Sequence, residues 1–321
     1  MNSKIILIIL GEPNSTFSEI LLKYFTSVTF NKNRNKVIIL GNKRLFEMQM
    51  RILKYKIPLH EIFNINMALS KKVNILNIKY KFNKAFSKIS NKSNRYIENS
   101  FNLALKIIST NPKVFLINGP ISKKYFLRKK YPGITEYVGK KTNSKETVML
   151  IYNKNLSVSP LTTHIPLKNV VKFIKKKRII NHVNKIDNFY KAKLKKTPKI
   201  AVLGLNPHCE TIDKVSEEKN EIIPAIKFLK KKNLKVYGPY SGDTFFLKKN
   251  IKKFDVVIGM YHDQVLTPVK TLFEFEAINI TIGLPFIKIT PDHGPNYDML
   301  GKNKSDPSSI FYALDFLNKI R

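Results

Sequence analysis

The chain has 321 residues, 43% of them hydrophobic, and 58 Lys and Arg stand against 22 Asp and Glu for a formal charge of +36. That length allows two domains or two lobes with a sizeable core, and that apolar share excludes wholesale disorder. A single cysteine excludes an internal disulfide, and the basic residues are mostly scattered lysines amid abundant Asn and Ile. They read as solvated surface from an AT-rich coding bias, with no specific nucleic-acid footprint, and leave a positive field that attracts phosphorylated metabolites.

In chain order, short apolar or β-branched runs at 5–10, 36–40, 114–117, 156–161, 199–205, 234–237, 255–260 and 277–282 read as strands. The first is too short to cross a bilayer and lacks the form of a secretory signal, so the expectation is a cytoplasmic protein with no membrane partner. Stretches with helical spacing at 17–25, 96–108, 170–180 and 222–229 lie between strands. This alternation predicts an α/β fold with a largely parallel sheet. The Lys-, Asn- and Ser-rich region 71–94 reads as a peripheral excursion, and no internal repeat is found.

Most of these strands end in polar clusters: Gly11-Glu12-Pro13, Asn118-Gly119-Pro120, Thr162-Thr163-His164, Asn206-Pro207-His208 and Tyr261-His262-Asp263. Ligands of open α/β sheets bind outside the carboxyl ends of strands, so these clusters form the candidate site. His164, His208 and His262 each follow a strand directly, and three converging neutral imidazoles suit a divalent ion with an open position for substrate. Taken singly, each reads first as a hydrogen-bonded loop histidine, but three of the chain's six histidines at equivalent strand ends reverse that preference. Asp243 and Asp263 read as partners of those histidines, as proton acceptors near a substrate hydroxyl, or as turn and cap residues. Asn279, inside an apolar strand, is either a core hydrogen-bonder or a ligand contact. No Gly-x-Gly-x-x-Gly follows a strand, so an ordinary Rossmann dinucleotide site is absent.

Longer motifs sharpen this reading. Asn118-Gly119-Pro120-Ile121-Ser122-Lys123, Thr135-Glu136, Thr162-Thr163-His164-Ile165-Pro166-Leu167, Gly204-Leu205-Asn206-Pro207-His208, Tyr261-His262-Asp263-Gln264, Lys270, Asn279-Ile280-Thr281, Gly283-Leu284-Pro285-Phe286-Ile287 and Asp292-His293-Gly294 occur in order. Almost end to end, the chain resembles the 4-hydroxythreonine-4-phosphate dehydrogenase family of pyridoxal phosphate biosynthesis. The resemblance implies a two-lobed α/β/α fold like isocitrate and isopropylmalate dehydrogenases, with a first lobe of 1–118 plus 286–321, a second of 119–285, and an active site in the cleft between them. It implies a homodimer with shared active sites, in which His164, His208 and His262 hold a divalent metal: zinc, or magnesium, cobalt or manganese.

The resemblance also implies that Thr135, Lys270, Asn279 and Lys288 hold the substrate phosphate and its neighbours, with Lys270, Asp243 and Asp263 as the catalytic candidates. His293, Gly294 and Asp298 resemble the adenosine-holding loop for NAD or NADP. The implied reaction oxidises 4-phosphohydroxythreonine to a 3-oxo acid that decarboxylates to 3-amino-2-oxopropyl phosphate. Asn14-Ser15-Thr16-Phe17 stand where the family has small and glycine residues. Ile134 replaces a phosphate-binding histidine, Lys288 an arginine, Ser122 an asparagine and Asn42 an aspartate. These departures leave open a related metal- and NAD-dependent dehydrogenase for another β-hydroxy acid.

Overall fold

The computed structural model describes residues 3–111, 113–127, 130–144, 146–210, 216–291 and 294–320. The strands are β1 (Ile5–Ile9), β2 (Lys36–Gly41), β3 (Leu59–Ile62), β4 (Val73–Asn77), β5 (Val114–Asn118), β6 (Val148–Tyr152), β7 (Ser157–Pro160), β8 (Ile200–Leu203), β9 (Val236–Tyr240), β10 (Val256–Gly259), β11 (Ile278–Ile282) and β12 (Lys288–Pro291). The chain divides into two compact units, Met1–Lys145 with Leu284–Lys319, and Glu146–Gly283 with Ile320–Arg321. Among the described residues no helix is long and apolar enough to cross a membrane.

In the first unit the strand order is β3-β4-β2-β1-β5-β12, and every pairing is parallel. Such strands are covered on both faces, which is why Ile6, Leu7, Ile8 and Ile9 are all buried. The helix Asn94–Thr110 lays Ile97, Phe101, Ala104 and Ile108 on the core formed with Leu7, Ile38 and Leu116. These apolar residues recur every three or four positions, the period of one helix face. Phe17–Phe25 forms a helix at the predicted bounds.

The 71–94 region is not the peripheral excursion that its composition predicts. β4 lies inside it and pairs with both β2 and β3. Asn74 interrupts its apolar pattern, but that side chain is fully buried and accepts from Leu69 N at 2.9 Å while donating to Val37 O at 2.9 Å and Leu69 O at 2.8 Å. A buried amide with its hydrogen bonds made is tolerated in a strand.

The second unit has the order β11-β6-β7-β10-β8-β9. Pairs β7-β10, β10-β8 and β8-β9 are parallel, whereas β6 runs antiparallel to both β7 and β11. The mostly parallel α/β architecture is therefore as predicted, with β6 the exception. The expected helix over 170–180 is two pieces, Val170–Phe173 and Lys176–Phe189, because Lys175 adopts an extended backbone (φ −130°, ψ 136°).

His182 on the longer helix is buried, 2.7 Å from Ser159 Oγ. That hydroxyl donates to Met149 O, so the imidazole donates to it. Burial first, then the charges of Arg178 and Lys185, push its pKa down to about 3. The unfolded chain therefore takes up a proton near pH 6.5 that the folded chain refuses, and stability is lost as pH falls from about 6.5 towards 3, by up to roughly 1.4 kcal/mol per pH unit. Thermal melts across that window should fall less steeply for His182→Leu than for the parent, and parallel pH curves would contradict this assignment.

Candidate active site

Three loops at the carboxyl ends of β7, β8 and β10 carry the strand-end histidines. Beyond β7 and β10 the chains stay tied: Leu161 N donates to Gly259 O at 2.8 Å, and Thr162 Oγ1 donates to Met260 O at 2.7 Å. This tie brings His164 and His262 together, with ring centroids 5.9 Å apart. His262 opens the helix His262–Phe273, and its Nδ1 lies 2.8 Å from Asp263 Oδ1. A carboxylate only accepts, so Nδ1 donates and Nε2 is the nitrogen left for a metal, the arrangement that orients a metal-binding imidazole.

The Gly204–His208 loop is held by Glu218. Its carboxylate accepts from Leu205 N at 2.7 Å, Asn206 N at 2.9 Å and Asn206 Nδ2 at 2.8 Å. Burial alone would raise the Glu218 carboxyl, but these hydrogen bonds hold it below the ordinary range. Gln264 accepts from Met260 N at 2.7 Å and donates to Gly204 O at 2.8 Å, joining the β10 and β8 loops. Glu218, Gln264 and Thr162 position these loops. Thr162 and Gln264 lie within the motifs read from the sequence, whereas Glu218 was missed and a glutamate pair amid lysines at 217–218 was its one signal.

His208 itself is 74% exposed and has a left-handed backbone (φ 54°), and its Nδ1 sits 3.6 Å from Asp243 Oδ2. The Ser241 hydroxyl donates to Asp243 and holds its carboxyl below the usual range, aided by His208. Among the described residues no three His, Cys, Asp or Glu side chains gather closely enough to hold a metal ion. Of the three histidines, His164 and His262 approach one another, and His208 stands beside Asp243. Two imidazoles fit a metal but fall short of the three protein ligands of an open zinc site.

Lys270 lies eight residues after His262 on the same helix, about 12 Å along its axis. Partial burial lowers its pKa. On β11, Asn279 keeps a buried Oδ1 with no hydrogen-bond partner among the described residues. Such an orphan acceptor costs about 1–3 kcal/mol.

In the first unit, Thr135 is buried in the opening turn of the helix Ile134–Lys141. Ile134 packs on the hydrophobic core of that unit. Lys288 is fully buried in β12 and donates to Thr290 Oγ1 at 2.8 Å, while Thr290 donates to Asn118 Oδ1 at 2.8 Å. Burial pulls its pKa down to about 7, against the opposing pull of Glu136. For the cofactor loop, Gly294 has open space where a Cβ would stand, and Asp298 lies in the exposed turn Tyr297–Met299. His293 lies outside the described residues.

A family model, pyridoxal phosphate biosynthetic protein PdxA, matches residues 32–317. A 4-hydroxythreonine-4-phosphate dehydrogenase from Sulfurihydrogenibium sp. is 37% identical over 316 residues, covering 96% of this chain and 95% of the relative. A D-threonate 4-phosphate dehydrogenase from Pectobacterium atrosepticum is 36% identical over 185 residues, 57% of each chain. Among solved structures, the 4-hydroxythreonine-4-phosphate dehydrogenase of Klebsiella pneumoniae superposes with a TM-score of 0.83 at 25% identity, covering 98% of this chain and 99% of that one.

Proposed function

Because the chain belongs to the pyridoxal phosphate biosynthetic protein PdxA family, we propose that it oxidises the secondary hydroxyl of 4-phosphohydroxythreonine with NAD. The observation that carries the reading is the pair of strand-end imidazoles, His164 and His262, in a chain of this family. The hydride leaves C3 for the nicotinamide and the hydroxyl proton passes to a base. The 3-oxo acid then loses carbon dioxide and takes up a proton, giving 3-amino-2-oxopropyl phosphate.

His164 and His262 would hold a divalent metal, zinc by its donor set, with His208 contributed by the second chain of a homodimer. Bound there, it would supply Lewis-acid stabilisation of the negative charge that develops on the substrate oxygen. Asp263 orients His262, and Asp243 orients His208. Lys270, its proton loosened by burial, suits the role of proton acceptor. Asn279 Oδ1 receives a hydrogen bond from a substrate donor, Thr135 and Lys288 serve the phosphate, and His293, Gly294 and Asp298 serve the cofactor. The setting is the cytoplasm.

A second substrate rests on one relative, a D-threonate 4-phosphate dehydrogenase that is 36% identical over 57% of this chain. Incubating the purified protein with NAD and 4-phosphohydroxythreonine should yield NADH and the aminoketone phosphate in equal amounts, and a chelator should suppress both. Absence of NADH from metal-replete protein would overturn the reading.

A further inference from the structure

The segment after β1 is fixed on every side. Gly11 has φ +73° and its absent Cβ would lie 2.3 Å from Pro120 O, so only glycine admits the contact by which Glu12 N donates to Pro120 O at 2.8 Å. Glu12 and Asn14 are both buried. The Glu12 carboxylate accepts from Asn14 N at 3.2 Å and from Ser93 Oγ at 2.8 Å. Asn14 Oδ1 accepts from Ser87 N at 2.8 Å, and Asn14 Nδ2 donates to Glu12 Oε1 at 3.5 Å. Gln49 Nε2 donates to Pro13 O at 2.8 Å.

Ser87 and Ser93 both belong to the Lys-, Asn- and Ser-rich stretch, which therefore reaches the carboxyl end of β1. The same stretch supports the candidate cofactor loop. Phe86 Cδ2 would lie 3.3 Å from a Cβ on Gly301, and Thr16 N donates to Pro295 O at 3.3 Å. The loop after β1, the stretch around Phe86 and the 295–301 segment thus brace one another within one unit.

We propose that Asn14 is a positioning residue for dinucleotide binding: it buckles the segment after β1 to the stretch around Ser87, and the two together fix the 295–301 segment. This rests on the reading that residues 293–298 hold the nicotinamide cofactor. A polar side chain at position 14 exchanges the freedom of the family's small residues for a preformed loop, and preformed loops bind with less ordering cost.

The test is NADH binding, read by fluorescence, for the full-length protein and for Asn14→Gly and Phe86→Gly. Phe86→Gly removes the supporting ring and suits the left-handed backbone at that position (φ 56°). Losing one or two buried hydrogen bonds at Asn14 should weaken NADH binding by up to about ten-fold. KM for NAD should rise in parallel, while kcat and the KM for the phosphorylated substrate stay within about two-fold. Phe86→Gly should weaken NADH in the same direction, and it carries the test if Asn14→Gly fails to fold. Unchanged NADH affinity in the folded variants overturns the proposal, as does an equal rise in both KM values, which would indicate general loosening. If the parent protein binds no NADH, the cofactor reading itself falls, a result distinct from these.

Discussion

His164→Ala and His262→Ala should each lower turnover by well over a hundred-fold while leaving the melting temperature close to that of the parent. Loss of a group that merely orients a metal ligand typically costs ten- to a hundred-fold, so loss of the ligand itself should exceed that. The folds should survive because both imidazoles stand beyond the buried ends of β7 and β10, His164 in a loop and His262 at the first position of a helix. Metal analysis reads the cause directly, and a variant that keeps full metal and activity would remove its residue from the site. The geometry also decides which variants complement. His164 and His262 lie 5.9 Å apart, centroid to centroid, within one chain, so mixing those two variants should restore nothing. If His208 reaches the site from the partner chain as proposed, a His208 variant should complement either one in exchanged dimers. Recovery from the His164 and His262 mixture would contradict the assignment.

Lys288→Met should stabilise the protein and weaken its hold on substrate. The folded chain gives up the Lys288 proton near pH 7, whereas an unfolded lysine holds it to about pH 10.5. The unfolded state binds more protons across that window, so stability rises with pH from about 7 to 10.5 and the cost of burying the charge is fully present below it. Removing the ammonium should therefore raise stability at pH 7 by on the order of a few kcal/mol. The gain should shrink as pH approaches about 10. If Lys288 serves the phosphate, the same substitution should raise KM for the phosphorylated substrate about ten- to a hundred-fold, the worth of a hydrogen bond to a charged group. Denaturant titrations at several pH values check the first claim and initial rates the second. A destabilised variant, or an unchanged KM, would count against the respective half.

Much of the architecture was legible because parallel strands buried on both faces form uninterrupted apolar runs. β1, β2, β5, β7, β8 and β10 were anticipated from such runs, and the half-exposed β9 and antiparallel β11 from shorter apolar or β-branched ones. β4 was not, since Asn74 breaks its pattern and is rescued by backbone partners far away in sequence. β6 was passed over beside the neighbouring run of β7, from which the turn at Asn153, whose side chain accepts from Asn155 N at 2.8 Å, separates it. β12 was obscured by Lys288, a charge that local composition places on the surface but the core accommodates. At the candidate site, residue types at strand ends were legible, while their spacing in three dimensions was not. Nothing local says that Thr162 ties the β7 loop to the β10 loop, or that His208 stands beside Asp243. Likewise, Ile134 reads as a missing phosphate contact, whereas its packing on the core explains what that side chain does instead. A histidine introduced there must give up that packing, so it would not be a simple restoration.

The substrate assignment is tested most directly by setting two phosphorylated acids against each other. With metal-replete protein and NAD in both arms, kcat/KM is measured for 4-phosphohydroxythreonine and for D-threonate 4-phosphate. These differ in the group at C2, an amine in one and a hydroxyl in the other, and a site built to pair with one such group rejects the other strongly. The account predicts a clear preference for 4-phosphohydroxythreonine, with the aminoketone phosphate as its product. Faster turnover of D-threonate 4-phosphate, with little or no NADH from the amino acid, would contradict it.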